Sequence, residues 1–391
     1  MDLRNDHNVY ILGAGFSKDA GLPLIGDFLV KMRDSHEWLV AQRRQRQADA
    51  VQKVLEFRLG AASAAYYVPL DLENIEELFS LASASAGDMD ARTIRMAIAA
   101  TIDFIRKTKP SPRWRIFAVS STSPGSLFVA PTSKGGPAKY PEWTKPAGEL
   151  DYQNPGRCGP LSISAYGFHV ARLLGMFLDG KPQGENTFIT FNYDTVLEDA
   201  LIELKVNYDY KFGRGARGPI ASQSPIPLFK LHGSVNWGRK IKAGIRQPLR
   251  ILQPLKIYSE LGQLLNNGAV PFLVPPTWKK TLGGPLEGVW DGAIHKLSTA
   301  TRIIIIGFSM PPTDMHFRYL MAAGLKNNVS LRQVLFVNPA QDKARAETLL
   351  RKSYVAFSEK YLYNFTSFQE GGLDSIGRPA ESGLRFDIFP E

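Results

Sequence analysis

The chain has 391 residues, of which 44% are hydrophobic and 21% charged; this excludes a disordered or fibrous protein and allows one large domain with an insertion, or two domains. The formal net charge of +10 suits an anionic partner such as a nucleotide, a nucleic acid or an acidic protein. A single cysteine, Cys158, excludes an intrachain disulfide and a zinc site of four thiolates, and points to a reducing compartment.

Met1 to Asn8 is charged and lacks the apolar run of a secretory signal, and Ile303 to Ile306 is too short to span a bilayer, so a cytoplasmic protein without a membrane partner is expected. Val9 to Leu12 reads as a buried strand, and the small residues after it, Gly13, Ala14 and Gly15, mark a strand-to-helix turn. Helical sequence occupies residues 36 to about 110. Leu72, Ile75, Leu78, Phe79 and Ala82 form one apolar stripe behind Asp71 and Asn74, and Ile94, Ile98, Ile102 and Ile105 form another. Both stripes read as packing faces. From Pro110 to Pro160 the chain is rich in Pro, Gly, Ser and Thr, which predicts a long irregular loop or a lid.

Apolar runs bounded by turns then return: NTFITFNYDTVLEDAL, PLFKLHGSVNW, TRIIIIGFSMPPTDMHFRYLM and RQVLFVNPAQDKARAETLL. Repetition of strand, polar turn and helix predicts an α/β fold with a doubly wound parallel sheet. The first strand belongs with this later block, so the helical segment is read as an insertion. The expected division is 1–35 with 165–355 for the sheet domain, 36–164 for the helical insertion with its Pro/Gly/Ser-rich loop, and 356–391 for a loosely held extension ending in a strand at Leu384 to Phe389.

Ligands of open α/β sheets bind beyond the carboxyl ends of the strands, and the conspicuous polar residues fall there. Ser17 follows the first strand, Asn192, Tyr193 and Asp194 follow TFITF, and His232, Gly233 and Ser234 follow LFKL; Gly307 and Ser309 follow IIII, and Asn338 follows VLFV. Gly13 and Gly15 suit close approach of a pyrophosphate, with unpaired amides at the following helix start. A bare structural turn fits the same residues, because Lys18 stands where the dinucleotide fingerprint places its third glycine. Asn192 suits a helix N-cap equally well, and Asp194 the first turn of that helix. His232, Ser309 and Asn338 suit hydrogen-bonded turns.

Together these residues resemble the sirtuin family, especially its bacterial, defence-associated branch. GAGFSKDAGLP is similar to the family's phosphate-binding signature through Gly13, Ala14, Gly15, Ser17, Gly21 and Pro23. TFNYD resembles the branch's motif through Thr190, Asn192, Tyr193 and Asp194, LHGS supplies His232 with Gly233, and IGFSMPPTD supplies Gly307, Ser309 and Asp314. The resemblance implies a Rossmann-like domain that binds NAD+ as substrate and cleaves the bond between nicotinamide and ribose. On it, Asn192 orients the ribose hydroxyls or the attacking water, His232 serves as general base, Asp194 positions the nicotinamide side, and Ser309 and Asn338 lie around the adenosine half.

Deacylating sirtuins carry a zinc module with two cysteine pairs, which one cysteine cannot build, and LIGDF replaces their Asp-Phe-Arg continuation. No zinc is expected. The resemblance therefore implies an NAD+ glycohydrolase acting as an anti-phage effector by NAD depletion; ADP-ribosyl transfer, cyclisation and a non-catalytic NAD- or ADP-ribose-sensing subunit stay open. It also implies a homo-oligomer activated by a separate subunit, such as a HerA-type ATPase or an Argonaute-like protein. The basic groups at Arg43, Arg44 and Arg46, at Arg239, Lys240 and Lys242, and at Lys279 and Lys280 read first as solvated faces, which leaves direct nucleic-acid binding open.

Overall fold

The computed structural model describes residues 6–85, 89–110, 113–119, 161–176, 182–212, 224–240, 254–277, 284–309, 315–338, 362–364 and 385–390. Strand β1 (His7–Leu12) leads through a 3-10 helix (Ala14–Ala20) into α1 (Phe28–Ala41), α2 (Gln45–Gly60), α3 (Ala62–Tyr67), α4 (Ile75–Ala84) and α5 (Ala91–Thr108). Next come β2 (Arg113–Val119), β3 (Leu161–Ser164), α6 (Ala165–Leu173), β4 (Glu185–Thr190), α7 (Val196–Glu203), β5 (Tyr208–Asp209) and β6 (Ile226–Lys230). The chain continues with β7 (Gly233–Lys240), β8 (Lys256–Ile257), α8 (Leu261–Asn266), β9 (Ala269–Leu273), α9 (Pro285–Ser298), β10 (Arg302–Ile306), α10 (Met315–Leu325) and β11 (Gln333–Asn338), with β12 (Leu362–Asn364) and β13 (Arg385–Pro390) last.

Seven strands form a parallel sheet in the order β12-β11-β10-β1-β4-β6-β5. Read from β6 to β12, this is the 3-2-1-4-5-6 order of the doubly wound dinucleotide-binding sheet, with β5 added at one edge. The order reverses at β1, whose neighbours are β4 on one side and β10 on the other. Strand alternation divides the core. Tyr10, Leu12, Phe188, Leu228, Ile304 and Ile306 join one buried cluster, while Val9, Ile11, Ile189, Phe229, Ile303 and Ile305 join another that also contains Val289 and Leu297 of α9 and Phe317 and Leu320 of α10. Helices cover both faces, as a parallel sheet with two apolar faces requires.

Both apolar stripes of the helical segment are buried, within α4 and α5 apart from Leu72, which lies in the turn before α4. Asn74 caps α4 by accepting the Glu76 amide at 2.9 Å, and Asp90 caps α5 by accepting the Thr93 amide at 2.6 Å. Leu29, Met32, Val51, Phe79, Ile98 and Ile102 belong to the same cluster as Tyr10 and Phe188 of the sheet. The helical segment thus shares a core with one sheet face. Its first helix starts at Phe28, ahead of residue 36, because Leu29 and Met32 already face that core.

Three stretches differ from the sequence reading. PLFKLHGSVNW is strand, turn and strand: β6 is followed by β7, which pairs antiparallel with β8 and β9, and the β-branched Val235 and aromatic Trp237 favour a strand there. The segment from Pro110 contains β2, which pairs antiparallel with β3 and β13, since RWRIFAV is a strand-forming run inside a loop-like composition. Strand β12 adds to the main parallel sheet from beyond residue 355, so the sheet draws on the segment read as an extension, and the terminal strand is β13. Residues 120–160, Lys242, Lys279, Lys280, Asp314 and the helix expected after Asn338 lie outside the described residues.

Candidate functional site

The loops at the carboxyl ends of β1, β4, β6, β10 and β11 are bonded to one another through the residues that the sequence singles out. Gly13 donates its amide to the Ile306 carbonyl at 3.0 Å, Gly15 to Gly307 at 2.8 Å, and Phe16 to Gly13 at 3.0 Å. A Cβ on Gly13 would lie 2.5 Å from the Phe308 Cα, and one on Gly15 would lie 2.8 Å from the Gly307 Cα. These glycines therefore accommodate the β10 loop, and the amides of Gly13, Gly15 and Phe16 are already used within the protein. Those three amides are therefore closed to a ligand. The turn is moreover a 3-10 helix, closed where Gly21 donates to the Lys18 carbonyl; Ala14 is half-buried at its start and Pro23 lies just beyond it.

Gly307 has φ +62°, a left-handed backbone in which a Cβ would also meet the Phe16 nitrogen at 2.1 Å. Ser309 follows it on the exposed side of the loop. Asn338, at the end of β11, donates from Nδ2 to the Phe308 carbonyl at 2.5 Å and so fixes the β10 loop from the other side.

The β4 loop crosses to the β1 loop through a side chain. Asn192 Nδ2 donates to the Gly13 carbonyl at 2.8 Å and to Ser17 Oγ at 3.2 Å, while the Asn192 amide donates to Thr190 Oγ1 at 3.0 Å. Thr190 Oγ1 in turn donates to the Leu12 carbonyl at 3.2 Å. Asn192 is not the cap of α7. The N-cap position is Thr195, without a side-chain capping bond, and just before it Asp194 Oδ1 accepts the Val196 amide at 3.0 Å and Ser17 Oγ at 3.1 Å. Burial pushes the Asp194 carboxyl above its ordinary range, against the pull of Lys230. The carboxylate that the resemblance puts on the nicotinamide side is thus occupied in joining Ser17 to α7.

Beneath this turn lies a buried ionic network that the sequence reading missed. Lys230, at the end of β6, donates to the Asp194 carbonyl and pairs with Glu198 of α7 at 2.8 Å. Tyr210 donates to Glu198 Oε1 at 2.9 Å and accepts from Asn236 Nδ2 at 3.3 Å. Burial and the Glu198 charge push the Tyr210 phenol well up, which keeps it a donor. A lysine next to an apolar strand and a glutamate inside VLEDAL look like surface residues in one dimension; only the approach of β6 to α7 pairs them.

His232 sits in the β6–β7 turn and is 6% exposed. Its ring meets Phe191 edge-on at 5.3 Å between centroids and lies 6.2 Å from Tyr193, so the two neighbours of Asn192 in the chain both pack against it. Gly233 has φ +79°, and a Cβ there would lie 2.4 Å from the Phe272 carbonyl oxygen. Tyr193 is held at both ends: its OH donates to the Val274 carbonyl at 2.6 Å, and its own carbonyl accepts Ser234 Oγ at 3.1 Å and the Val235 amide at 3.0 Å. Trp290 of α9, also unanticipated, donates its indole N–H to the Leu231 carbonyl at 3.0 Å. The described residues hold no group of three or more His, Cys, Asp or Glu that would bind a metal ion.

Residues 186–357 match the SIR2-like domain family. That span includes Asn192, Asp194, His232, Gly307, Ser309 and Asn338 and supports a sirtuin-like family; Gly13 to Pro23 lie outside it. No curated protein matches the chain. Among solved structures, a Sir2 enzyme studied for mechanism and regulation aligns at 10% identity with a TM-score of 0.34, covering 86% of this chain and 81% of that one. A Sir2 bound to acetylated peptide aligns at 13% identity and a TM-score of 0.31, over 85% and 81% of the two chains. A Sir2 homolog in complex with NAD aligns at 11% identity and a TM-score of 0.26, over 89% of each.

Proposed function

We propose that the chain is an NAD+ glycohydrolase that splits NAD+ into nicotinamide and ADP-ribose. The observation that carries this reading is the bonding of the β4 loop to the β1 loop by Asn192, with the His232 ring packed on the residues either side of Asn192. The match of residues 186–357 to the SIR2-like domain supports it.

In this reading the water oxygen attacks the ribose carbon that bears nicotinamide, and the electron pair of the breaking C–N bond returns to the pyridinium ring. Nicotinamide leaves neutral, and a proton is released. The sugar becomes oxocarbenium-like as the bond lengthens, so the site must offer oriented acceptors and restrict water. Asn192 makes both of its side-chain bonds through Nδ2, which leaves Oδ1 to accept from a ribose hydroxyl or from the attacking water. His232 takes the proton as general base, its ring held by Phe191 and Tyr193. Ser17, Asp194 and Lys230 act through Asn192 and its loop as positioning residues. NAD depletion as an anti-phage effector, in a homo-oligomer triggered by a HerA-type ATPase or an Argonaute-like protein, belongs to the same proposal and rests on the sequence motifs.

Nicotinamide release from NAD+, followed by chromatography with and without the product of a neighbouring gene, tests the reaction. Asn192→Ala and His232→Ala are each expected to lower the rate at least a hundredfold, in line with the loss of a positioning group or a general base. Unchanged rates in both would refute the assignment. Free ADP-ribose as product supports hydrolysis, whereas a covalent adduct or a cyclised nucleotide redirects the reading to transfer or cyclisation.

A further inference from the structure

A general base works only while its ring keeps its distance from the proton it removes, and the turn that carries His232 has few ladder bonds of its own. β7 and β9 pair at Gly233 with Leu273 and at Ser234 with Phe272; a bulge up to Gly238 then breaks the register, and the next β9 residue to pair, Pro271, has no amide hydrogen to donate. The end of the ladder next to His232 is therefore short. One further bond extends it, from the Val274 amide to the His232 carbonyl at 2.8 Å.

Two side chains from other elements grip this turn. Tyr193, in the β4 loop, donates its hydroxyl to the Val274 carbonyl at 2.6 Å, on the residue whose amide holds His232. Trp290 of α9 donates its indole N–H to the Leu231 carbonyl at 3.0 Å, one residue before His232. The main chain is thus held on both sides of the histidine. Phe191 and Tyr193 both pack on the His232 ring, and Phe191 does so without a hydroxyl. The oxygen that distinguishes Tyr193 serves the bond to Val274.

We infer that the Tyr193 hydroxyl and the Trp290 indole N–H are positioning groups that hold the His232 ring at one distance from Asn192 and from the proton it removes. The inference rests on the proposed role of His232 as general base. Tyr193 directly follows Asn192, so one dipeptide carries both the group that orients ribose or water and a group that fixes the base. Neither Tyr193 nor Trp290 transfers a proton in this account. A displacement of about 1 Å at a reacting group can cost about a hundredfold in rate, so the loss of either bond is expected in kcat, with substrate affinity spared.

Steady-state nicotinamide release by the full chain, with any activating partner, tests this. Tyr193→Phe and Trp290→Phe are each expected to lower kcat about tenfold, with KM for NAD+ and the affinity for ADP-ribose within about twofold of wild type. The nuclear magnetic resonance signals of the His232 ring, assigned by their loss in His232→Ala, are expected to move in both variants. Should Trp290→Phe fail to fold, Tyr193→Phe, which removes a single oxygen, decides. An unchanged kcat in either folded variant, a raised KM with kcat unchanged, or a lowered kcat with unmoved His232 signals would overturn the inference. If wild type releases no nicotinamide, the glycohydrolase reading fails separately, and the ring signals alone decide the placement of His232: moved, the two anchors stand; unmoved, they fall.

Discussion

Asn192 and Lys230 divide the work at the β4 loop: one side chain fixes the loop toward Gly13 and Ser17, the other fixes it from below through the Asp194 carbonyl. Lys230 is 1% exposed and its partner Glu198 3%. A pair buried this fully is costly to break from one side, because the remaining charge has no solvent to turn to. Lys230→Met is therefore expected to lower unfolding free energy by about 3–5 kcal/mol, read from urea denaturation, whereas Lys230→Met with Glu198→Gln recovers a large part of that loss. Should the single variant lose less than 1 kcal/mol, on the order of an exposed pair, the network would not be the support described. Residue identities at the rim were legible in the sequence because polar residues directly after apolar runs stand out. Their duties were less so. The sequence offers Asn192 as a cap and Asp194 as a first-turn or ligand-facing residue, whereas in the structure Asn192 bonds across to Gly13 and Ser17 and Asp194 holds Ser17 and the Val196 amide, with Thr195 at the N-cap position.

At the scale of elements, the strand–turn units of β1, β4, β10 and β11 were readable because continuous apolar runs ending in glycine or asparagine have few alternatives in a parallel sheet. The β7–β9 hairpin arrangement was not, since GSVNWGRK has neither strict alternation nor a turn signal linking it to AVPFL some thirty residues later. The glycines illustrate a related limit: composition reveals that a position must be small, without revealing what approaches it. Gly13 and Gly15 approach the β10 loop. Gly307→Ala is then expected to cost more than the ~1–2 kcal/mol of a left-handed alanine, because its Cβ would also meet the Phe16 nitrogen at 2.1 Å. Gly60→Ala, in α2 with nothing within 4 Å of the new Cβ, is expected to be neutral or to stabilise by up to about 1 kcal/mol. Urea midpoints of the two variants make the comparison, and equal midpoints would contradict the packed-loop account.

For the whole molecule, the question is whether the helical segment is an attachment or part of the folding unit. Linear order suggests an attachment, since residues 36–110 interrupt a sheet whose first two strands, β1 and β4, are neighbours in space. Packing argues otherwise: Ile98 and Ile102 of α5 lie in one buried cluster with Tyr10, Phe188 and Leu228 of the sheet, and α5 also touches β9. A cluster that crosses the boundary couples the stability of both sides, so the helices and the sheet should unfold together. Ile98→Ala, at a fully buried position, is expected to cost about 2–5 kcal/mol and to shift the denaturation midpoint equally whether followed by far-ultraviolet circular dichroism, which weighs the helices, or by fluorescence of the buried Trp237 in β7 and the other tryptophans. If the variant instead splits the transition, with the helical signal lost first and the fluorescence midpoint unmoved, the segment is a separate unit that leans on the sheet without helping to hold it.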